Sequence, residues 1–141
     1  VKKQPMDRFT RNYSIVLAVL VIALFAWAFH ENPEISNLNR LLEADQELAS
    51  YPYSFRVLEL ENGTAILGSP RSVEFPVYRA LGVLFPHLAG HSPGDPELMK
   101  AQQKLARMQQ KARAIVMKSP GVRHVEWRLD KNWLTMRGAQ I

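Results

Sequence analysis

The stretch YSIVLAVLVIALFAWAF, Tyr13 to Phe29, carries no charged side chain, and no other feature constrains the folding of this chain as strongly. At about 1.5 Å per residue a helix of this length reaches roughly 25 Å, near the lower limit for spanning a bilayer. Two readings fit. One is an uncleaved membrane anchor. The other is a secretory signal, with a basic start, an apolar core and the small-x-small triplet Ala26, Trp27, Ala28. The run is longer than the usual signal core, which favours the anchor.

Charge around the run sets an expected orientation. Lys2, Lys3, Arg8 and Arg11 precede it with only Asp7 opposing them, whereas His30, Glu31 and Glu34 follow it. Basic residues stay on the cytoplasmic side. The expected organisation is a basic cytoplasmic tail over residues 1–12, a transmembrane helix over 13–30, and an exoplasmic domain over 31–141. In a bacterial cell that means a single-pass inner-membrane protein with its C-terminal domain in the periplasm. Tyr13 and Trp27 lie near the two ends of the span, where amphipathic rings favour the headgroup zone.

The outer domain differs electrostatically from the whole chain. Four of the eighteen basic residues and one of the thirteen acidic ones precede residue 31, which leaves 14 against 12. That remainder is unevenly placed. Between residues 100 and 128 lie Lys100, Lys104, Arg107, Lys111, Arg113, Lys118, Arg123 and Arg128, with Glu126 the one acid. The chain has no cysteine, which removes disulfides, thiolate metal sites, covalent haem attachment and thiol nucleophiles together.

Asn32, Pro33 and Glu34 supply a capping side chain, a proline at the first helical position and an acid in the first turn. The spacing of Ile35, Leu38, Leu41, Leu42 and Leu48 predicts one helix to about Ser50, ended by Tyr51 and Pro52. SFRVLELENGTAILG, residues 54–68, places β-prone residues on both sides of Asn62 and Gly63 and predicts a hairpin with a two-residue turn. Residues 73–90, VEFPVYRALGVLFPHLAG, are apolar in nearly every direction of a short helix starting at Pro76. They are either core or an exposed apolar patch for a partner or the bilayer surface. AGHSPGDP, residues 89–96, reads as a loop.

Asp95, Pro96 and Glu97 repeat the cap, proline and acid pattern and open a long helix. Leu98, Ala101, Leu105, Met108, Ala112 and Ile115 form its single narrow stripe, which lies on a sheet or another helix. Lys100, Lys104, Arg107 and Lys111 lie off the stripe. They form a solvated face, or a surface for anionic phospholipid headgroups or an acidic partner. Nucleic acid is not expected, because the expected compartment offers none and no aromatic platform accompanies the charge. Pro120 and Gly121 then stop the helix, PGVRHVEWRLD enters a strand with Val125, Trp127 and Leu129 on one face, and WLTMR, residues 133–137, is expected to return as another strand.

The order helix, hairpin, helix, then a proline-glycine-valine turn into a strand resembles the BON domain. PGVRHVEWRL is similar to that family's closing motif, in which two valines flank a polar pair, and NGTAILGSPRS, residues 62–72, is similar to its glycine-marked second strand. The resemblance spans Asn39 to Leu129, with residues 73–96 as an insertion beyond the family's short connection. A generic α+β module, such as a ferredoxin-like periplasmic domain, is the alternative. Both give the same class, α+β, with a single N-terminal transmembrane helix before a small helix-hairpin-helix-strand domain. The resemblance implies an envelope module that contacts phospholipid surfaces or other proteins and has no catalytic constellation.

The residues themselves point the same way. His87 and His91 have a ligand-like spacing with Asp95 nearby, but a metal site needs further ligands and no helix is expected there. His30 at the membrane edge is more readily an interfacial residue than a haem ligand. No serine sits in a strained glycine turn, no paired acids stand in a recognisable frame, and GSPRS has too little glycine to cradle a phosphate. No cofactor or metal is therefore expected. The expected function is a non-enzymatic accessory or assembly subunit whose outer domain docks on a larger envelope or membrane complex through Phe75, Tyr78, Leu81, Leu84 and Phe85. The alternative is a phospholipid-surface module oriented by Lys100, Lys104, Arg107 and Lys111.

Overall fold

The computed structural model describes residues 7–29 and 32–141, in two units that divide at Asn32. Lys2 and Lys3 of the expected cytoplasmic tail, and His30 and Glu31 beyond the span, lie outside the described residues.

The first unit holds α1, Arg8–Ala28, 21 residues with none buried. At about 1.5 Å per residue it is roughly 31 Å long, the thickness of a bilayer's hydrocarbon core. Its length and composition suit a membrane crossing. Apolar side chains cover all of its faces from Tyr13 onward, unlike the one-sided stripe of a helix that lies on a core.

The second unit begins with α2, Pro33–Ala44, which buries Leu38, Asn39 and Leu42. The helix expected to run unbroken to Ser50 stops at Asp45. That residue turns to extended backbone, φ −77° and ψ 119°, and its carboxylate accepts the Leu48 N–H at 3.0 Å, which starts a separate short helix, α3, Gln46–Ala49. A short acidic side chain competes for backbone donors and favours a cap over a helix interior. The break turns Leu48 into the core.

Three strands follow in the spatial order β1-β2-β3: β1, Val57–Glu61; β2, Thr64–Ser69; and β3, His124–Leu129. β1 and β2 are antiparallel and joined through Asn62 at φ 50° and Gly63 at φ 79°. This is the left-handed pair that suits a two-residue hairpin, as the sequence predicts. A bulge lies between Val57 and Glu59, and the buried Asn39 side chain bonds both backbone groups of Val57, accepting its N–H at 2.7 Å and donating to its C=O at 3.3 Å. One edge of the sheet is thereby closed at its start.

β3 pairs parallel to β2, with Thr64 opposite His124 and Ser69 opposite Leu129. A parallel neighbour requires a crossover rather than a hairpin. The crossover consists of α4, Val77–Leu84, a 3-10 turn at Pro86–Leu88, and α5, Pro96–Met117. Asp95 caps α5 by accepting the Glu97 N–H at 3.0 Å. The predicted stripe faces inward at Leu98, Leu105, Met108 and Ala112, with Val116 completing it and Ala101 and Ile115 half-buried.

The last expected strand is a helix instead. Asp130 caps it. Its Oδ1 accepts the Trp133 N–H at 3.1 Å and its Oδ2 accepts from the Tyr53 hydroxyl at 2.9 Å, so residues Lys131–Met136 wind into α6 and bury Leu134. Leu134 joins Phe75 and Ala80 in a small second core beside the main one. The main core is built from α2, α4, α5, β2 and the aromatic segment Tyr51, Tyr53 and Phe55, with Leu88 of the 3-10 turn.

Candidate functional site

The segment 73–90 is core. Phe75 is 1% exposed, and Leu81 and Leu84 are buried as well. Phe85 is half-buried and meets Tyr51 edge-on with ring centroids 6.1 Å apart. Of the five residues expected to touch a partner, Tyr78 alone is exposed, at 56%. The physical reason is geometric. Ala80, Leu81 and Leu84 fall on the one side of α4 that meets the rest of the domain, so the helix buries its larger apolar side chains there. The expected contact patch is therefore not a surface.

The basic helix is also partly committed. Arg107 Nη2 lies 2.8 Å from Glu47, and Lys111 Nζ lies 2.7 Å from Glu47 and 3.2 Å from Asp45. The break at Asp45 carries both acids to α5. Asp45 is held below the usual carboxylate range first by the Leu48 N–H and then by Lys111, and Glu47 is held down first by its hydrogen bond from Lys111. Lys111 is raised in return by the same two acids. Arg107 and Lys111 are thus neutralised locally, which weakens their expected role toward lipid headgroups. Lys100 and Lys104 are exposed and have no carboxylate at ion-pair distance among the described residues.

His91 and Asp95 meet through Nδ1 and Oδ2, and the Glu97 N–H with His91 holds Asp95 below its ordinary value. Among the described residues no group of three potential metal ligands forms. Burial pushes the Tyr51 hydroxyl up to about 12 and raises Tyr53 further, helped by the Asp130 carboxylate. Both phenols stay protonated near neutral pH, so neither serves as a base or nucleophile there.

The concave feature with the most defined chemistry is a groove of about 490 Å³ between α5, the end of β2 and the outer side of β3. Its floor is polar and organised. The buried Ser69 hydroxyl accepts from Gln109 Nε2 at 2.9 Å and from the Arg71 N–H at 3.2 Å, and Gln109 Oε1 in turn accepts from Arg71 Nε at 3.2 Å. Its walls are Trp127 and Leu129 from β3, Arg113 from α5, and the fully exposed Val73. Trp127 packs edge-on against Phe55, with centroids 6.0 Å apart, yet keeps 36% of its surface exposed. Sequence reading placed Trp127 on the right face of its strand but attached no function to it. The signal in the sequence is a large aromatic, Trp127, in the last strand of the sheet.

No protein-family model matches this chain, and neither a curated protein nor a solved structure matches it. The structure defines a mixed helix-and-sheet domain and, as a separate unit, one apolar helix whose length and composition suit a membrane.

Proposed function

We propose that the chain is a non-enzymatic, single-pass inner-membrane protein whose periplasmic, BON-like domain docks on a larger envelope complex as an accessory or assembly subunit. The observation that carries this reading is the combination of a wholly exposed apolar helix with a small domain that keeps an aromatic, arginine-bearing groove open beside its last strand. An anchor confines the domain to the membrane surface, and a groove of this kind suits a protein segment better than a small metabolite. The helix, hairpin, helix and strand order supports the BON-like assignment, with residues 73–96 as an insertion whose Leu81, Leu84 and Leu88 enter the main core and whose Phe75 and Ala80 enter the second.

Lys100 and Lys104 favour the second reading, a module oriented against anionic phospholipid. Each cation near such a surface contributes about 1 kcal/mol, and salt weakens the attraction. With Arg107 and Lys111 tied to acids, that attraction rests on fewer residues than the sequence suggested. The two readings separate on purification of the native full-length protein in mild detergent at low and high salt, followed by mass spectrometry. A stoichiometric protein partner that survives salt supports the docking subunit. A lone chain carrying acidic lipid that salt removes overturns it in favour of the lipid module.

A further inference from the structure

The two edges of the sheet are treated differently. At β1 a bulge and the Asn39 side chain interrupt the row of backbone groups that a new strand would need. β3 has neither. It keeps six residues in unbroken register with β2. The His124 N–H goes to Gly63 O at 3.1 Å and the Asp130 N–H to Ser69 O at 2.8 Å. Alternate residues of a strand direct their backbone groups to opposite sides in the sheet plane. The N–H and C=O groups of Val125, Trp127 and Leu129 therefore point away from β2, toward the open side.

The side chains of the same strand divide equally clearly. Arg128 pairs with Glu59 at 3.1 Å, while Trp127 and Leu129 line the groove against α5. The groove lining contains Arg71 and Arg113 and no carboxylate. Arg71 is oriented by the Ser69 and Gln109 chain, and Arg113 is exposed with no acid at ion-pair distance among the described residues.

We propose that the free edge of β3 accepts an extended, acid-bearing segment of a partner protein as a fourth strand. Backbone bonds to Val125, Trp127 and Leu129 hold it. Its groove-side residues rest on Trp127 and Val73, and its carboxylate meets Arg113 and Arg71. The row of amides and carbonyls without a backbone partner among the described residues requires a peptide backbone as the occupant. The two unneutralised arginines select the acidic one. The inference rests on the docking reading above and specifies where and what the domain docks.

The test uses the full-length protein in mild detergent and three fluorescein-labelled synthetic peptides of six residues, the length of β3. In the first, valine alternates with glutamate; in the second, lysine replaces glutamate; the third repeats the first with alternate backbone nitrogens methylated. Fluorescence polarisation is expected to show binding of the glutamate peptide, and roughly tenfold or greater weakening for each of the other two. Equal binding of all three, or binding of none, overturns the proposal.

The same preparation is then made from Arg113→Glu and Val125→Pro variants. Val125→Pro removes an outward N–H that β2 does not use, and exposed Arg113 keeps the test valid if the proline variant fails to fold. Loss of the native partner from Arg113→Glu supports the proposal. A salt-resistant complex that survives both substitutions overturns it and leaves the docking reading standing, whereas a wild-type chain without any protein partner removes both. A homodimer of this chain that Arg113→Glu dissociates assigns the edge to a second copy and also overturns the proposal.

Discussion

Two stretches of this chain are apolar in nearly every direction, and they end in opposite environments. α1 has 21 residues and buries none of them, whereas α4 has eight and buries Ala80, Leu81 and Leu84, with Phe75 just before it equally enclosed. All-round apolarity therefore does not say what covers a helix. Length does. Eight residues reach only about 12 Å, far short of a hydrocarbon core, and Pro76 and Pro86 bracket α4 so that it cannot extend. A short apolar helix is forced to find its partners inside its own domain, while a long one can take them from lipid.

The largest effect that tests this contrast is at Phe75. Phe75→Ala empties a position packed with Ala80 and Leu134 and should destabilise the outer domain by about 3–5 kcal/mol, the usual cost of deleting a buried ring. Tyr78→Ser, three residues on but exposed, should change stability by no more than about 0.5 kcal/mol. Denaturant unfolding of the two variants measures the difference. Equal effects would break the assignment of this segment to the core and return it to the surface.

The next effect is in α1. Leu20→Lys puts a charge near the middle of the apolar run, and a lysine at a span's centre raises the insertion free energy by about 2.5–3.5 kcal/mol. The expected outcome is a clear drop in the fraction of chain that resists alkaline carbonate extraction. Unchanged membrane retention would show that α1 is not the element that crosses the bilayer, and the contrast with α4 would lose one of its sides.

The sequence displays this contrast only in part, and the division follows the range of the interactions. Local chemistry was readable: Asn62 and Gly63 make the hairpin, Asp95 and Pro96 start α5, and the steps between Leu98 and Ala112 mark its buried face. The break at Asp45 and the helix start at Asp130 are not legible locally, because the same short acid suits a helix flank, a turn or a cap, and tertiary partners decide among them. Asp130 becomes a cap where Tyr53, 77 residues earlier, holds its second oxygen. The ion pairs that neutralise Arg107 and Lys111 reach back 60 and 64 residues to Glu47. The groove combines Ser69, Gln109 and Trp127, which share no local pattern. A helix stripe or a turn pair is written in neighbouring residues, but an open sheet edge exists only once strand order is known.

The smallest effect tests whether charge shares the work that burial does in the outer domain. The Asp45 and Glu47 carboxylates are depressed in the folded chain, Asp45 chiefly by the Leu48 N–H and Glu47 chiefly by Lys111. A depressed carboxylate contributes its stability fully above its unfolded value, near 4, and loses it as pH falls through the folded value. The contacts of Phe75 and Leu81 exchange no proton and carry no such dependence. The thermal midpoint should therefore hold steady from pH 7 to about pH 5 and decline below about pH 4, as carboxylates paired in the folded state take up protons. Lys111→Met keeps the packing of the stem and removes the ammonium. It should make that decline shallower while shifting the midpoint at pH 7 by no more than about a few degrees, because exposed pairs are screened by water and salt. A large loss at neutral pH would mean that the attachment of α3 to α5 is electrostatic rather than apolar. Leu48 would then be held in the core by Lys111, and the neutralised half of the basic helix would rank with α4 among the elements on which the domain depends.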